Sequence, residues 1–159
     1  MAGIFVDATK LTGFASEEAG FLQAMKGGTV NIKGLLMAGI IIGALGILDD
    51  VTVSQASVVQ QLKNTSNKLS SSDLYKKAMR VGQDHVSSMV NTLVLVYTGA
   101  ALPLLLLFID STRSFSEIIN YELVADEIVR TLVGSIGLVS AVPITTAIAS
   151  AVISRQEKS

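Results

Sequence analysis

Three long apolar blocks, at about 35–48, 86–109 and 128–153, constrain this chain more than any other feature. A helix rises 1.5 Å per residue and a bilayer core is about 30 Å thick, so roughly twenty apolar residues make one crossing. Inside hydrocarbon the backbone must satisfy its own hydrogen bonds, which leaves helices as the reading for blocks of this length. Half of the residues are hydrophobic and only 16% are charged, against about a quarter charged in an ordinary soluble domain. The pattern predicts an all-α integral membrane protein: three transmembrane helices, a cytoplasmic amphipathic helix and a short N-terminal helical segment. It argues against a soluble enzyme domain.

The first block is the one that needs argument. Its apolar run, LLMAGIIIGALGIL, is fourteen residues long, about 21 Å, which is too short to span. Downstream, VTVSQASVVQQ carries no charge until Lys63, so the helix is expected to continue through Asp49 and Asp50 to about residue 59. The alternative ends the span at Leu48 and leaves the two acids at the headgroups. The short block before them and the uncharged run after them both favour the longer helix.

Upstream, residues 1–33 are mixed and read as an extracytoplasmic segment. Ser16, followed by Glu17 and Glu18, begins a short helix toward Met25 that Gly27-Gly28 ends. The stretch 62–72 reads as a polar linker, with Ser72 capping a helix that starts at Asp73. Leu74, Ala78, Val81 and His85 share one face of that helix, which lies at the interface and runs on into the second block. Pro103 removes a backbone donor and crowds the carbonyl of Gly99, so a kink is expected there, and Pro143 predicts another. The stretch 110–127 reads as an acidic connector and 154–159 as a cytoplasmic tail, which makes 34–153 the membrane domain.

Basic residues set the orientation. Lys63, Lys68, Lys76, Lys77 and Arg80 lie between blocks one and two, and Arg155 and Lys158 lie in the tail, whereas the second connector holds only Arg113 before Arg130. The positive-inside rule puts 62–84 and the C-terminus in the cytoplasm, and the N-terminus and 110–127 outside. Met1 is followed by no positively charged n-region with an apolar core, so no signal peptide is expected. A chain that starts outside without one, in a bundle of three helices, is expected to be one piece of a larger membrane assembly.

Chemistry-bearing residues are few. Zero cysteines and one histidine predict no metal site, and no cofactor is expected. The net charge of −1 gives no footprint for nucleic acid. Serines and threonines abound, but none has a His or Lys partner at depth, so the chain is not expected to be an enzyme. The strongest signal is Asp49-Asp50, because intramembrane acids face bundle interiors or hydrated paths. Gly39, Gly43, Gly46, Asp50, Ser54, Ser57 and Gln61 recur three or four residues apart, which puts Asp50 on a small-residue stripe fit for another helix. Asp49 lies about 100° away, so Asp50 is the expected buried member and candidate titrating residue. On helix two, Asp84, Ser88, Asn91 and Thr98 share a stripe. Asn91 and Thr92 are candidate hydrogen-bond partners of the acid, or else interhelical glue. Gly134 and Gly137 give helix three a packing face, Arg130 is expected to pair with Asp126 or Glu127, and His85 falls at the cytoplasmic interface.

The segments GLLMAGIIIGALGILDDVTVSQAS, MRVGQDHVSSMVNTLVLVYTGAALPLLLLF and EIVRTLVGSIGLVSAVPITTAIAS closely resemble the YibE/F-like family of bacterial membrane proteins, in order and with short gaps. The resemblance runs from near Leu11 almost to the C-terminus. It implies the bacterial cytoplasmic membrane and further helices ahead of this region, with no established activity attached. The same order of helices is similar to the last three helices of a six-helix half in RND transporters and SecD/SecF export proteins, where acids on the corresponding helix take part in proton coupling. This chain lacks their large extracytoplasmic domain. The likeness implies part of a proton- or ion-coupled permease, with Asp49 and Asp50 as the coupling residues. The alternative is a structural or assembly subunit that moves nothing. Either way the expected partners are the lipid bilayer and other transmembrane helices, supplied by a missing N-terminal part, a second copy or a partner subunit.

Overall fold

A helix survives two adjacent aspartates when enough of its length lies on either side of them, and here it does. The structure, a computed structural model, describes residues 1–66, 69–109 and 112–156. Lys68, Asp110 and 157–159, which enter the reading above, lie outside the described residues, as does the side chain of Arg155. Among the described residues every regular element is α-helical: α1 (Ala2–Ala8), α2 (Glu17–Met25), α3 (Ile32–Thr65), α4 (Ser71–Ala100), α5 (Leu102–Ile109), α6 (Phe115–Ile119) and α7 (Glu122–Gln156). At 34 residues α3 passes unbroken through Asp49 and Asp50, and at 1.5 Å per residue it is about 51 Å long.

The helix ends follow from local chemistry. Asn31 accepts the Gly34 amide at 2.9 Å and so starts α3. Ser16 accepts the Ala19 amide, as its sequence position predicts, with Glu17 and Glu18 in the first turn of α2. Gly27 and Gly28 both take positive φ, which stops that helix. The start of α4 corrects the reading above: the cap is Ser70, not Ser72. Its hydroxyl accepts the Asp73 amide at 3.2 Å and bonds the Asp73 carboxylate at 2.7 Å, so the helix begins at Ser71. An N-cap accepts an amide of the first turn, here that of the third helical residue, and Asp73 answers it from that position. The linker is shorter than expected too, because α3 runs to Thr65 and Lys63 reaches forward to the Leu69 carbonyl.

Pro103 acts as expected. The axes of α4 and α5 meet at 63° across a break at Ala101. Pro143 lies inside α7, which stays helical through it. That helix also starts earlier than residue 128, at Glu122, because the connector folds. Ser114 and Glu117 form a reciprocal capping box that starts α6, and Phe108 meets Tyr121 edge-on at 5.2 Å with Arg113 over the Tyr121 ring.

The chain divides into two compact units: Met1–Ala44 with Leu93–Gly134, and Leu45–Thr92 with Ser135–Ser159. In the first, Ala2, Val6, Leu11, Ile40, Val129 and Val133 form the core, so α1, which the sequence reading did not anticipate, lies on α3 and α7. Glu122 Oε1 accepts from the Thr12 amide, the Thr12 hydroxyl and the Gly13 amide, and Lys33 pairs with Asp7 at 2.6 Å. In the second unit Val59, Leu74 and Ala78 make the core, with Leu62, Ala149 and Ile153 against them.

Outside these cores the long helices remain apolar. Ile42, Leu45 and Val53 of α3, Leu95 and Val96 of α4, and Ile144 and Ile148 of α7 are all exposed. Helices α3 and α7 are each long and apolar enough to cross a membrane, and α4 with α5 makes a third if the bent pair is one span.

Candidate functional site

Packing volume decides which face of α3 turns inward in the second unit. Val51, Gln55 and Val59 recur every fourth residue and all three are buried. Val59 packs with Leu74 and Ala78 of α4 and with Ala149 and Ile153 of α7, and the small and acidic residues of α3 lie on the other side. Asp49 and Asp50 are therefore both exposed, and the reading that gave Asp50 the buried position is corrected on this point. Neither carboxylate makes a hydrogen bond or ion pair among the described residues. Asn91 and Thr92 are also exposed. Thr92 bonds the Ser88 carbonyl of its own helix at 3.0 Å, and no hydrogen bond joins either residue to the two acids. The stripe of Asp84, Ser88, Asn91 and Thr98 runs along the exposed side of α4.

The predicted glycine positions take side chains more than helix backbones. A Cβ on Gly39 would stand 3.9 Å from a guanidinium nitrogen of Arg130, and one on Gly43 would stand 3.8 Å from the Tyr97 hydroxyl. Gly46 faces open space, and Gly137 meets only the Leu48 side chain at 3.7 Å. Gly134 is buried. Arg130 pairs with Glu127 at 3.5 Å, one of its two expected partners.

The tightest crossing lies elsewhere, at a residue the sequence reading passed over. A Cβ on Gly82 of α4 would fall 2.5 Å from Val142 Cγ1 and 2.9 Å from the Gln55 amide atoms. At that crossing Gln55, which is 1% exposed, joins three helices. Its Nε2 donates to the Ala78 carbonyl at 3.0 Å and to the Thr146 hydroxyl at 2.8 Å, and Thr146 donates on to the Val142 carbonyl at 2.6 Å. Both N–H groups of the amide are thereby satisfied, as a buried primary amide requires. One turn further along α7, Ser150 is buried and its carbonyl accepts from Ser71 at 3.2 Å. The signal for this cluster was in the sequence: a lone amide in the stripe Val51-Gln55-Val59, facing the stripe Val142-Thr146-Ser150. Its chemistry is that of a structural lock, with every donor of the Gln55 amide committed.

The arrangement therefore has two polar parts. An inner one, Gln55 with Thr146, is closed and satisfied. An outer one, Asp49 and Asp50, is open and without side-chain partners among the described residues.

Among curated proteins and among solved structures nothing matches the chain. Among protein families, the one described as YibE/F-like protein matches residues 1–155. That match takes in α3, the bent pair of α4 and α5, α7 as far as residue 155, the two aspartates and the Gln55 crossing, so the chain belongs to the YibE/F-like family.

Proposed function

We propose that this chain is the three-span part of a multi-pass permease of the bacterial cytoplasmic membrane, driven by protons or ions, in which Asp50 is the titrating residue and Asp49 its neighbour. The observation that carries the reading is the continuity of α3 through both acids. Near the middle of a helix flanked by the exposed Leu45 and Val53, each carboxylate costs roughly 2.5–3.5 kcal/mol in hydrocarbon. Such a cost is borne where acids face a hydrated path or a further helix. In this reading the first span covers about 35–59, the second 86–109 with its bend at Ala101, and the third 128–153. Residues 62–84 and the C-terminus lie in the cytoplasm.

Proton flux in proteoliposomes of the complete protein, read with an internal pH-sensitive dye, tests it. Asp50→Asn is expected to abolish flux and Asp49→Asn to reduce it. Unchanged flux in Asp50→Asn would remove that residue from the mechanism.

A second reading, an assembly subunit that moves nothing, is favoured by Gly46, whose Cβ position is open on the face that carries Asp50. Small residues let another helix approach closely. Under that reading Gly46→Leu breaks up the purified complex, while Asp49→Asn and Asp50→Asn leave it intact.

A further inference from the structure

We propose that the outward stripe of α4, formed by Lys77, Arg80, Asp84, Ser88 and Asn91, lines a water-filled path from the cytoplasmic side to the depth of Asp49 and Asp50. These residues recur every three or four positions and all of them are exposed. They therefore share one face, about 21 Å long from end to end. The side chains of Asp84, Ser88 and Asn91 make no hydrogen bond or ion pair among the described residues.

The depth comes from the register inside the second unit. Gln55 bonds the Ala78 carbonyl and Val59 packs with Leu74, so α3 and α4 run antiparallel. Six residues back from Gln55 is Asp49, and six on from Ala78 is Asp84, which puts the two acids at one height. Helix α7 gives the same result: Leu48 meets Gly137, and Val86 walls one cavity with Val139. Around this height Val139, Ile144 and Ile148 of α7 are exposed and apolar, as a surface against lipid should be. The α4 stripe is the opposite. Charged and amide groups at such depth turn to a bundle interior or to water. A second copy would not serve, because a two-fold axis along the bilayer normal brings Lys77 and Arg80 of one chain toward those of the other. Water suits the whole stripe, with the far wall supplied by the rest of the multi-pass protein.

This inference rests on the α3 span proposed above and moves one boundary of that reading. With 35–59 in the bilayer, α4 enters near Leu74, the residue level with Val59, and residues 76–84 reach cytoplasmic water through the path.

Power-saturation electron paramagnetic resonance of the complete protein in proteoliposomes tests it, with a nitroxide on a single introduced cysteine, since the chain has none of its own. Oxygen concentrates in hydrocarbon and a nickel chelate in water, so their collision rates report the surroundings of the nitroxide. Labels at Ser88→Cys and Asn91→Cys are expected to meet the chelate more often than oxygen. The order should reverse at Val139→Cys, on α7 near the same height. Oxygen dominating at the two α4 positions would put the stripe on lipid and overturn the path while the α3 span stands. Low rates for both reagents there would mean a face packed on protein, which overturns it equally. The chelate dominating at Val139→Cys would put that height outside the bilayer and remove the span and the path together.

Discussion

A methyl group added to Gly82 has no room, because Val142 Cγ1 would stand 2.5 Å away. That distance is backed by the Gln55 amide on the other side, and the amide is itself held by Ala78 and Thr146, so the neighbours cannot easily give. Gly82→Ala is expected to destabilise the fold by about 1–3 kcal/mol, the usual cost of overpacking. Val142→Ala in the same chain should recover part of the loss. Unfolding in increasing dodecyl sulfate measures both, and no shift in Gly82→Ala would mean that α4 and α7 do not cross there. Gly39, Gly43 and Gly46 were legible as a stripe because their spacing repeats. Gly82 stands alone among polar residues, so nothing in its own helix announces it. Its need for a bare Cα comes from Val142, sixty residues on, and only the folded chain supplies that. Gln55 was harder for a different reason: a polar residue in a membrane helix groups by type with the other polar residues, whereas its burial comes from Val51 and Val59 on its own stripe.

Helix boundaries show the same division between local and non-local causes. The caps of α2 and α6, the bend at Pro103 and the continuity of α3 come from residues within a turn of the event, and the first, third and fourth of these are plain in the sequence. The start of α4 is local too, but Ser70, Ser71 and Ser72 offer three hydroxyls in a row. Asp73 breaks the tie by answering Ser70. Ser70→Ala is therefore expected to cost about 1 kcal/mol and to speed hydrogen exchange at the Asp73 amide, while Ser72→Ala leaves that amide unchanged. Equal effects from the two substitutions would put the cap back at Ser72. Helix α1 has no such local warrant. Its seven residues are too few to be stable alone, and its place comes from Val6 buried against Ile40, Val129 and Val133. The start of α7 at Glu122 is non-local in the same way, because Glu122 is held by Thr12 and Gly13.

For the whole molecule the absence of cysteine makes the number and direction of the crossings accessible to site-directed labelling. Lys76 on α4 and Glu117 on α6 are both exposed. In intact cells a bulky, membrane-impermeant maleimide is expected to label Glu117→Cys directly and Lys76→Cys only after the membrane is opened. Labelling of both from the same side would mean that α4 and α5 together do not cross. The apolar exteriors of α3, α4 and α7 were legible from hydropathy alone, since lipid and protein interior ask for the same side chains. Which stripe of each helix turns to lipid was not legible, because both alternatives are apolar and volume decides between them.

The hold of Glu122 on Thr12 spans 110 residues of chain, and this sets an order of events during synthesis. A ribosome adds roughly 5–20 residues each second, so Thr12 and Gly13 wait on the order of ten seconds before their acceptor exists. Through that interval Val6 and Leu11 also lack Val129 and Val133, which belong to the same late helix. The beginning of the chain can therefore lie on Ile40 of α3 early, but its place in the unit is completed only when α7 has been made.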